Sequence, residues 1–300
     1  MRQGESLGAR GKTKMSLVAG CRLQVASCSG LSVANPSSFN LYLLVFLACL
    51  VFPSLSVAQP ANELRPPPPL DRAEGERQGK LLVAHLLSQK PDQDSANRGS
   101  LKIRNADGTQ REVPARFMVR VTATNWLSVY EASPTGSSPG EKFTVIHTEG
   151  RPNQYLLGPS YSRAAGGNAA QKPISGNELM KPFAGSDFWL VDLGLDFLQW
   201  PQQRVVRKQM RKNLFCDVLE STNPHAAPGA YSRVVSWIAV NRPEEIVVVH
   251  ADAYDSNDKL LKEFDPKRVQ KINGAWQLEE MEIRNRQAGT RTKIEFNLEH

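Results

Sequence analysis

The stretch VPARFMVRVTAT, residues 113–124, contains the clearest secondary-structure signal in the chain. Its apolar side chains occupy every second position, at Val113, Ala115, Phe117, Val119, Val121 and Ala123. Mostly arginine, methionine and threonine side chains fall between them. Because successive side chains of a β-strand point to opposite faces, this alternation predicts a strand with one buried face and one solvated face.

The same alternation returns at the C-terminus, where Thr290, Thr292, Ile294, Phe296 and Leu298 alternate with charged or amide side chains. Further strands are predicted near residues 126–131, 142–148, 153–157, 204–208, 212–220, 231–240, 246–254, 260–265, 268–272 and 275–285. Turn sequences separate many of them, at Asp107-Gly108, Pro134-Thr135-Gly136, residues 255–258 and Asn273-Gly274. Short turns between closely spaced strands predict an antiparallel meander, because parallel neighbours need long crossovers. We therefore predict a mainly β fold of the α+β class, with one large curved sheet or open barrel.

Two segments depart from the strand pattern. Asp71 and Glu74 have the spacing of a capping box and open a predicted helix over residues 71–89, which Gly75 and Gly79 are expected to weaken. From residue 159 a loop rich in glycine, alanine and serine leads into an apolar stretch that ends at residue 200 and lacks a period of two. Its capping residues, Ser186, Asp187 and Asp192, predict short helices that lie against the sheet.

The N-terminal region has the pattern of a secretory signal. Residues 41–55 (LYLLVFLACLVFPSL) form an apolar run after five basic residues and one acidic residue, and Ser56-Val57-Ala58 is a small-x-small cleavage site. We predict a signal peptide over residues 1–58, cleaved after Ala58, a proline-rich lead-in over 59–70, and one domain over 71–300. Lipidation at Cys49 is the alternative, and translation from Met15 instead of Met1 is left open.

Removal of this signal changes the charge and cysteine content. The formal charge falls from +7 to +3, because five basic residues and one acidic residue leave with it. The remaining charges are interspersed, which argues against a nucleic-acid-binding surface. Cys216 alone remains, so no intramolecular disulfide is available, and we expect it to be a small buried side chain.

Few residues suggest catalysis or metal binding. His250 and Asp252 lie two apart on a predicted strand and so share a face, but no third ligand has a recognisable spacing, and a solvated strand face is the preferred interpretation. Residues 252–258 resemble a calcium loop in composition only, and we predict a hairpin turn there. Catalytic and nucleotide-binding motifs are absent from the sequence. We therefore predict a protein that is not an enzyme, with no cofactor and no metal.

Two stretches resemble the LolA-like outer-membrane lipoprotein-sorting family. Gly185-Ser186-Asp187-Phe188, followed by Asp192-Leu193, is similar to a segment of one branch of that family. The closing strands are similar as well, from Lys271 through Trp276 and then at Met281, Asn285 and residues 289–292. With residues 233–235 and 253–255 added, the likeness covers about 180 to 298. It implies a strongly curved antiparallel sheet that forms an incomplete barrel, with an N-terminal helix and short helices covering its mouth, and an apolar cavity for acyl chains.

The leading hypothesis is a periplasmic carrier or binding protein for lipidated or apolar cargo, in outer-membrane lipoprotein sorting or lipid trafficking. Its partners would be acyl chains or lipoproteins, an inner-membrane donor and an outer-membrane acceptor, and we expect a monomer. An envelope sensor or protein-interaction module on the same fold is the second hypothesis, and a hydrolase with dispersed active residues is the third. Whether the aromatic and apolar side chains line a cavity or fill the core is open. The candidate lipid-binding residues are Phe117, Val119, Val121, Phe188, Trp189, Ile294 and Phe296.

Overall fold

The computed structural model describes residues 68–136, 139–160, 170–242, 245–272 and 275–297. Outside these ranges lie the predicted signal peptide, residues 59–67 of the proline-rich lead-in and the predicted turn at Asn273-Gly274. Most of the predicted glycine-rich loop, residues 161–169, lies outside them too. Among the described residues, no helix is both long enough and apolar enough to cross a membrane.

One antiparallel sheet of thirteen strands dominates the described part of the chain. The sheet is curled and unclosed, which confirms the predicted fold class. The strands are β1 (Ser95–Arg104), β2 (Gln110–Val121), β3 (Asn125–Ala132), β4 (Glu141–Thr148), β5 (Gln154–Gly158), β6 (Lys172–Ile174), β7 (Gln202–Arg211), β8 (Leu214–Thr222), β9 (Arg233–Arg242), β10 (Glu245–Tyr254), β11 (Leu260–Ile272), β12 (Ala275–Asn285) and β13 (Thr290–Asn297).

The strand order joins the two ends of the domain. Strands β1 to β6 form one meander and β7 to β13 another, and β1 pairs with β13 between them. Gly99 lies in this seam, where a Cβ atom would lie 2.1 Å from the carbonyl oxygen of Glu295. The absence of a side chain therefore permits the close approach of the two strands. As a result β6 and β7, which are consecutive strands along the chain, form the two opposite edges of the sheet.

Helix α1 (Arg72–Leu87) packs against the edge strand β7. The Asp71 carboxylate accepts hydrogen bonds from the backbone N–H groups of Ala73 and Glu74, as predicted, but the Glu74 side chain bonds to Arg77 and Gln78 instead of completing the capping box. Gly75 and Gly79 are buried in the contact with β7. A Cβ at either glycine would lie 2.6 Å from a carbonyl oxygen of β7. The expected cost to helix propensity thus accompanies a packing role that the sequence did not reveal, because these glycines allow the helix to dock.

Most predicted strands are present, with three differences. Strand β1 was not predicted, because its first half, Ser95-Ala96-Asn97-Arg98, is polar or small and shows little alternation. The three-residue edge strand β6 was missed because it contains Pro173, which cannot donate to a ladder. The predicted strands 260–265 and 268–272 are one strand, β11, in which an irregularity between Pro266 and Arg268 absorbs the proline.

The predicted short helices between β6 and β7 are confirmed. They are three 3₁₀ helices (Gly176–Leu179, Phe183–Gly185 and Asp196–Gln199) and helix α2 (Leu190–Gly194). Asp192 does act as a capping residue, since its carboxylate accepts a hydrogen bond from the Trp189 N–H. Asp187 does not cap a helix, because its carboxylate accepts hydrogen bonds from Thr290 and Thr292 of β13. The Ser186 hydroxyl bonds to Phe188, outside any helix start.

Candidate functional site

The chain crosses the inner face of the curled sheet between its two edge strands. We call residues 175–201 the crossing segment, because they leave β6 at one edge and enter β7 at the other. Side chains from β2, β3, β4, β5, β11 and β13 bond to it. The resemblance predicts that the inner face of the sheet lines an acyl cavity. In the structure, the crossing segment covers that face.

Apolar side chains of the crossing segment are buried against the sheet. Its buried members are Leu179, Phe183, Phe188, Leu190, Val191, Leu193, Phe197, Leu198 and Trp200. Gly194 is close to the ring of Tyr155, where a Cβ would lie 2.9 Å from Cε1. This close contact shows that the segment is fitted to the sheet and does not lie loosely over it.

The structure brings together the candidate lipid-binding residues of the sheet. Phe117 and Phe296 are in edge-to-face contact with ring centroids 4.8 Å apart. Val119 and Ile294 are also buried, whereas Val121, near the end of β2, is only partly buried. Phe188 and Trp189 belong to the crossing segment, the first buried and the second partly buried. All seven residues thus lie in or against one apolar core, in which the side chains of the sheet and of the crossing segment pack together.

Polar side chains of the sheet hold the backbone of the crossing segment at separate points. Arg111 donates to the carbonyl of Gly185 at 2.6 Å, and the Glu141 carboxylate accepts from the Ala184 N–H at 2.5 Å. Tyr130 donates to the carbonyl of Leu193 at 2.7 Å. Each contact gives a backbone group of the segment a hydrogen-bond partner, and the residue that Tyr130 contacts, Leu193, is buried. They are made by side chains at discrete positions, so the segment is anchored without a continuous strand ladder.

Lys262 of β11 lies at the centre of these contacts. The side chain is 2% exposed, and its Nζ donates to the carbonyl oxygen of Asp187 at 2.6 Å. The same Nζ lies 3.9 Å from an Asp192 carboxylate oxygen and 3.6 Å from the centre of the Trp189 ring. Tyr231 completes the cluster, since its ring stacks on Trp189 at 4.7 Å and its hydroxyl donates to Asp192. A single buried ammonium therefore contacts the crossing segment through a carbonyl, a carboxylate and an aromatic face.

Burial determines the protonation chemistry of this cluster. Loss of solvation lowers the pKa of Lys262 to about 7, although the nearby carboxylates of Asp192 and Asp187 oppose that shift. Burial also raises the pKa of Asp192, and Lys262 opposes that change. The pKa of the Tyr231 hydroxyl is raised by burial and by the adjacent Asp192. Both members of the Lys262–Asp192 pair are thus shifted towards their neutral forms.

Sequence reasoning missed Lys262 and Tyr231. Within β11, Lys262 and Phe264 fall at alternate positions and share a face, and Phe264 packs against the core. A lysine two positions from an apolar residue of a buried face is the signal that could have identified it. Tyr231 precedes β9 and has no such pattern around it, so its role follows only from the fold.

Two non-glycine residues of the crossing segment have left-handed backbone conformations. Ala184 has φ of 52° and Leu195 has φ of 49°. Such conformations are strained for residues with a Cβ and persist only where surrounding contacts enforce them. Ala184 is held by the Glu141 and Arg111 contacts, so part of the anchoring energy offsets this strain.

A cavity of about 310 Å³ lies elsewhere, between α1, the start of β7 and the end of β8. Its lining is polar, with Arg72, Glu76, Lys80, Arg204 and Glu220 among its residues. None of the candidate lipid-binding residues contributes to it. Arg72 pairs with Glu76 and Arg204 with Glu220, so most of its charges are already neutralised.

His250 and Asp252 form a contact but not a solvated face. His250 Nε2 lies 2.7 Å from an Asp252 carboxylate oxygen, and the histidine is buried against the ring of Trp237. The prediction of a solvated strand face is therefore wrong. Within the described ranges, no group of three or more histidine, cysteine or acidic residues is arranged to hold a metal ion. Cys216 is buried and unpaired, and residues 255–258 form the predicted turn, where Asp255 accepts two backbone hydrogen bonds.

A serine, a histidine and an asparagine are in line within the core between β3 and β5. Ser128 Oγ lies 3.0 Å from His147 Nε2, and His147 Nδ1 lies 3.0 Å from Asn153 Oδ1. The order resembles a nucleophile, base and orienting group. Ser128, however, has no exposed surface, and burial lowers the pKa of His147 to about 4. Substrate has no access to this serine in the structure, so we interpret the three residues as a hydrogen-bonded core network.

Comparison with known proteins gives the class to which this architecture belongs. A DUF1329 family protein from Desulfovibrio piger ATCC 29098 is 19% identical, with a TM-score of 0.58 over 74% of this chain and 91% of that one. A putative outer membrane lipoprotein-sorting protein domain from Vibrio parahaemolyticus is 18% identical, with a TM-score of 0.58 over 74% and 92%. A LolA superfamily protein from Nitrosomonas europaea is 13% identical, with a TM-score of 0.50 over 74% and 91%. The fold is therefore that of the LolA-like proteins.

The sequence itself identifies the family. Residues 133–298, more than half of the chain, match a protein family whose description reads "Uncharacterized protein". The chain belongs to this family, and the LolA-like fold of its structural neighbours confirms the resemblance drawn from the sequence motifs. No curated protein matches the sequence.

Proposed function

We propose that this protein is a periplasmic carrier for lipidated or otherwise apolar cargo, exported by a signal peptide that is cleaved after Ala58. One observation supports this proposal above the others: the apolar inner face of the curled sheet is covered by a crossing segment that is anchored at separate points. Cargo would enter by displacing part of this segment. Acyl chains or lipoproteins would be received from an inner-membrane donor and passed to an outer-membrane acceptor.

The energetics of such an exchange favour reversible binding. Each methylene group of an acyl chain that leaves water is worth about 0.8 kcal/mol. The displaced apolar side chains of the crossing segment would lose similar contacts, so only the difference would appear as affinity. The strain at Ala184 and Leu195, together with the cost of burying Lys262, would reduce the energy needed to move the segment. The candidate lining residues Phe117, Val119, Val121, Ile294 and Phe296 would then face the cargo, opposite Phe188 and Trp189.

Locking the crossing segment tests the proposal. Asp187 and Thr292 are in direct contact, with the Thr292 hydroxyl 2.9 Å from the Asp187 carboxylate, so we choose an Asp187→Cys/Thr292→Cys pair for a disulfide, in a protein whose one cysteine after the predicted signal, Cys216, is replaced by alanine. We expect the oxidised protein to bind a fluorescent fatty acid at least about tenfold more weakly than the reduced protein. Mass spectrometry of the natively purified reduced protein should also show bound lipid.

A second disulfide is the matched control. Ser100 and Glu295 are directly paired across β1 and β13, away from the crossing segment, so a Ser100→Cys/Glu295→Cys bridge stiffens the sheet without holding the segment. This variant should bind the probe equally well when oxidised and when reduced. Equal binding by the oxidised and reduced forms of the Asp187–Thr292 variant would show that cargo does not require the segment to move.

A protein-interaction module is the second candidate function. The observation that favours it is the close packing of the crossing segment, which already fills the inner face with the protein's own side chains. In that case purified protein would contain no lipid, and a pull-down would return one stoichiometric membrane protein. Binding of that partner should be the same for the oxidised and reduced forms of the locked variant.

A further inference from the structure

Lys262 is a buried cation on the face of the sheet that cargo would occupy. Of the lysine and arginine side chains whose burial the structure describes, it alone is buried. Asp187 connects it to the candidate lining residues, because the Asp187 carbonyl oxygen accepts a hydrogen bond from Lys262 and the Asp187 carboxylate accepts one from Thr292. Ile294 lies two positions beyond Thr292 on β13 and therefore on the same face. Lys262 and the apolar lining residues thus face the same space beneath the crossing segment.

The close partners of this ammonium group belong to the crossing segment. The Asp187 carbonyl oxygen lies 2.6 Å from Lys262 Nζ, and an Asp192 carboxylate oxygen lies 3.9 Å from it. The centre of the Trp189 ring is 3.6 Å away. From outside the segment, the Tyr231 ring is more distant, with its centre 5.5 Å from Nζ. Displacement of this part of the segment by cargo would therefore remove the hydrogen-bond acceptor and the carboxylate together.

Cargo made of hydrocarbon alone could not replace these contacts. An ammonium group that stays buried without an acceptor or an opposite charge is strongly unfavourable, so such cargo would leave Lys262 in a worse environment than the crossing segment provides. Hydrogen bonds between charged partners are stronger than those between neutral ones. A carboxylate or phosphate group attached to the acyl chain would supply both the acceptor and the negative charge that the departing segment removes.

We infer that Lys262 determines the specificity of the inner face, by pairing with an anionic oxygen group attached to the acyl chain of the cargo. This inference rests on the proposed carrier function and names the class of ligand for the same site: an apolar chain that carries a carboxylate or a phosphate. The anionic group replaces the Asp187 carbonyl oxygen and the Asp192 carboxylate beside Nζ. The chain itself packs against the lining residues of β13, Ile294 and Phe296.

Calorimetric titration of the exported protein with three ligands of equal chain length tests the inference. The ligands are dodecanoate, dodecyl phosphate and dodecanol, and the titrations are made at about pH 6, below the pKa of about 7 that Lys262 has when buried. We expect one or both anions to bind at least about tenfold more tightly than the alcohol, and the tighter anion identifies the oxygen group. In Lys262→Met the ratio of the affinities for anion and alcohol should fall to about one. A substitution that only loosened the crossing segment would change all three affinities together and leave this ratio unchanged.

Lys259→Met is the matched control, because Lys259 is exposed and lies just before the same strand. It also removes one lysine, and it should keep the preference for anions. Lys262→Gln is a second test variant, which retains a hydrogen-bond donor without the charge and should lose the preference, and circular dichroism establishes that each variant is folded.

Two results distinguish failure of the inference from failure of the proposed function. Equal binding of anions and alcohol by the unmodified protein, or an undiminished preference for anions in the folded Lys262 variants, would overturn the inference and leave the carrier function intact. Binding of none of the three ligands by the unmodified protein would overturn the proposed function and the inference with it.

Discussion

Lys262 shows how one residue determines the character of the inner face. Its ammonium group contacts the crossing segment through Asp187, Asp192 and Trp189, yet it lies in an otherwise apolar core. A buried charge is costly unless it is paired, and here burial lowers the pKa of Lys262 whereas the nearby carboxylates raise it. The packing of the crossing segment against the sheet should therefore depend on whether Lys262 is protonated.

The stability of the protein should depend on pH through Lys262. In the unfolded chain this lysine titrates near 10.5, whereas burial lowers its pKa to about 7 in the folded protein. Between these values the unfolded chain holds a proton that the folded protein lacks, so the free energy of unfolding rises with pH. The rise from pH 7 to pH 9 should be about 2 kcal/mol from this residue alone. Urea unfolding at the two pH values measures it.

The comparison variant for this measurement is Lys262→Met, which keeps an unbranched side chain only one atom shorter and removes the titrating group. Between pH 7 and pH 9, the free energy of unfolding of the Lys262→Met variant should lack the increase that we assign to Lys262. Lys259→Met, at an exposed position just before the same strand, should keep the full pH dependence. The same pH slope in Lys262→Met as in the unmodified protein would contradict the assignment.

At the scale of elements, the contact between α1 and β7 depends on two glycines. Gly75 and Gly79 are one helical turn apart and face the carbonyl oxygens of Val205 and Gln203. Leu70 extends the contact by donating a backbone hydrogen bond to Val206. The helix thus covers part of an edge strand that would otherwise present unpaired backbone groups.

Helix propensity and packing make opposite predictions for Gly79→Ala. Propensity alone predicts a gain of up to about 1 kcal/mol, because alanine is the better helix former. The added Cβ would, however, lie 2.6 Å from a backbone oxygen, so we expect a net loss of about 1–3 kcal/mol. Thermal and urea unfolding distinguish the two. Leu81→Ala, on the exposed side of the helix, should change stability by less than about 0.5 kcal/mol.

The whole molecule combines a predicted export signal with a fold that places its two meanders in one sheet. The seam between β1 and β13 makes the first and last strands of the domain neighbours. Export would place this sheet where lipidated cargo of the cell envelope is handled. The location of the signal is a prediction that can be tested independently of cargo.

Processing at Ala58 gives a defined mass. We expect the exported protein to consist of residues 59–300 when its intact mass is measured. Ala58→Leu should block cleavage, because the site requires a small residue immediately before the cut. Ala61→Leu, three residues beyond Ala58, should be processed normally. An unchanged mass in Ala58→Leu would place the cleavage site elsewhere.

Much of the architecture could be predicted from local sequence. Alternation over residues 113–124 and 290–298 predicted β2 and β13, and Asp71 predicted the start of α1, because these signals depend on neighbouring residues only. The short helices between β6 and β7 were predicted for the same reason. Apolar residues such as Phe117 and Ile294 are buried, as their period of two predicts for one face of a strand.

The function of Gly79 and Lys262, the seam at Gly99 and the path of the crossing segment could not be predicted in this way. Each depends on contacts between residues that are far apart in sequence: Lys262 and Asp187 are separated by 75 positions, and Asp187 and Thr292 by 105. The local pattern predicts which side chains face inward, but it does not predict what packs against them. Whether those side chains line a cavity or pack against the chain itself follows only from the tertiary structure, in which the segment between the two edge strands occupies the inner face.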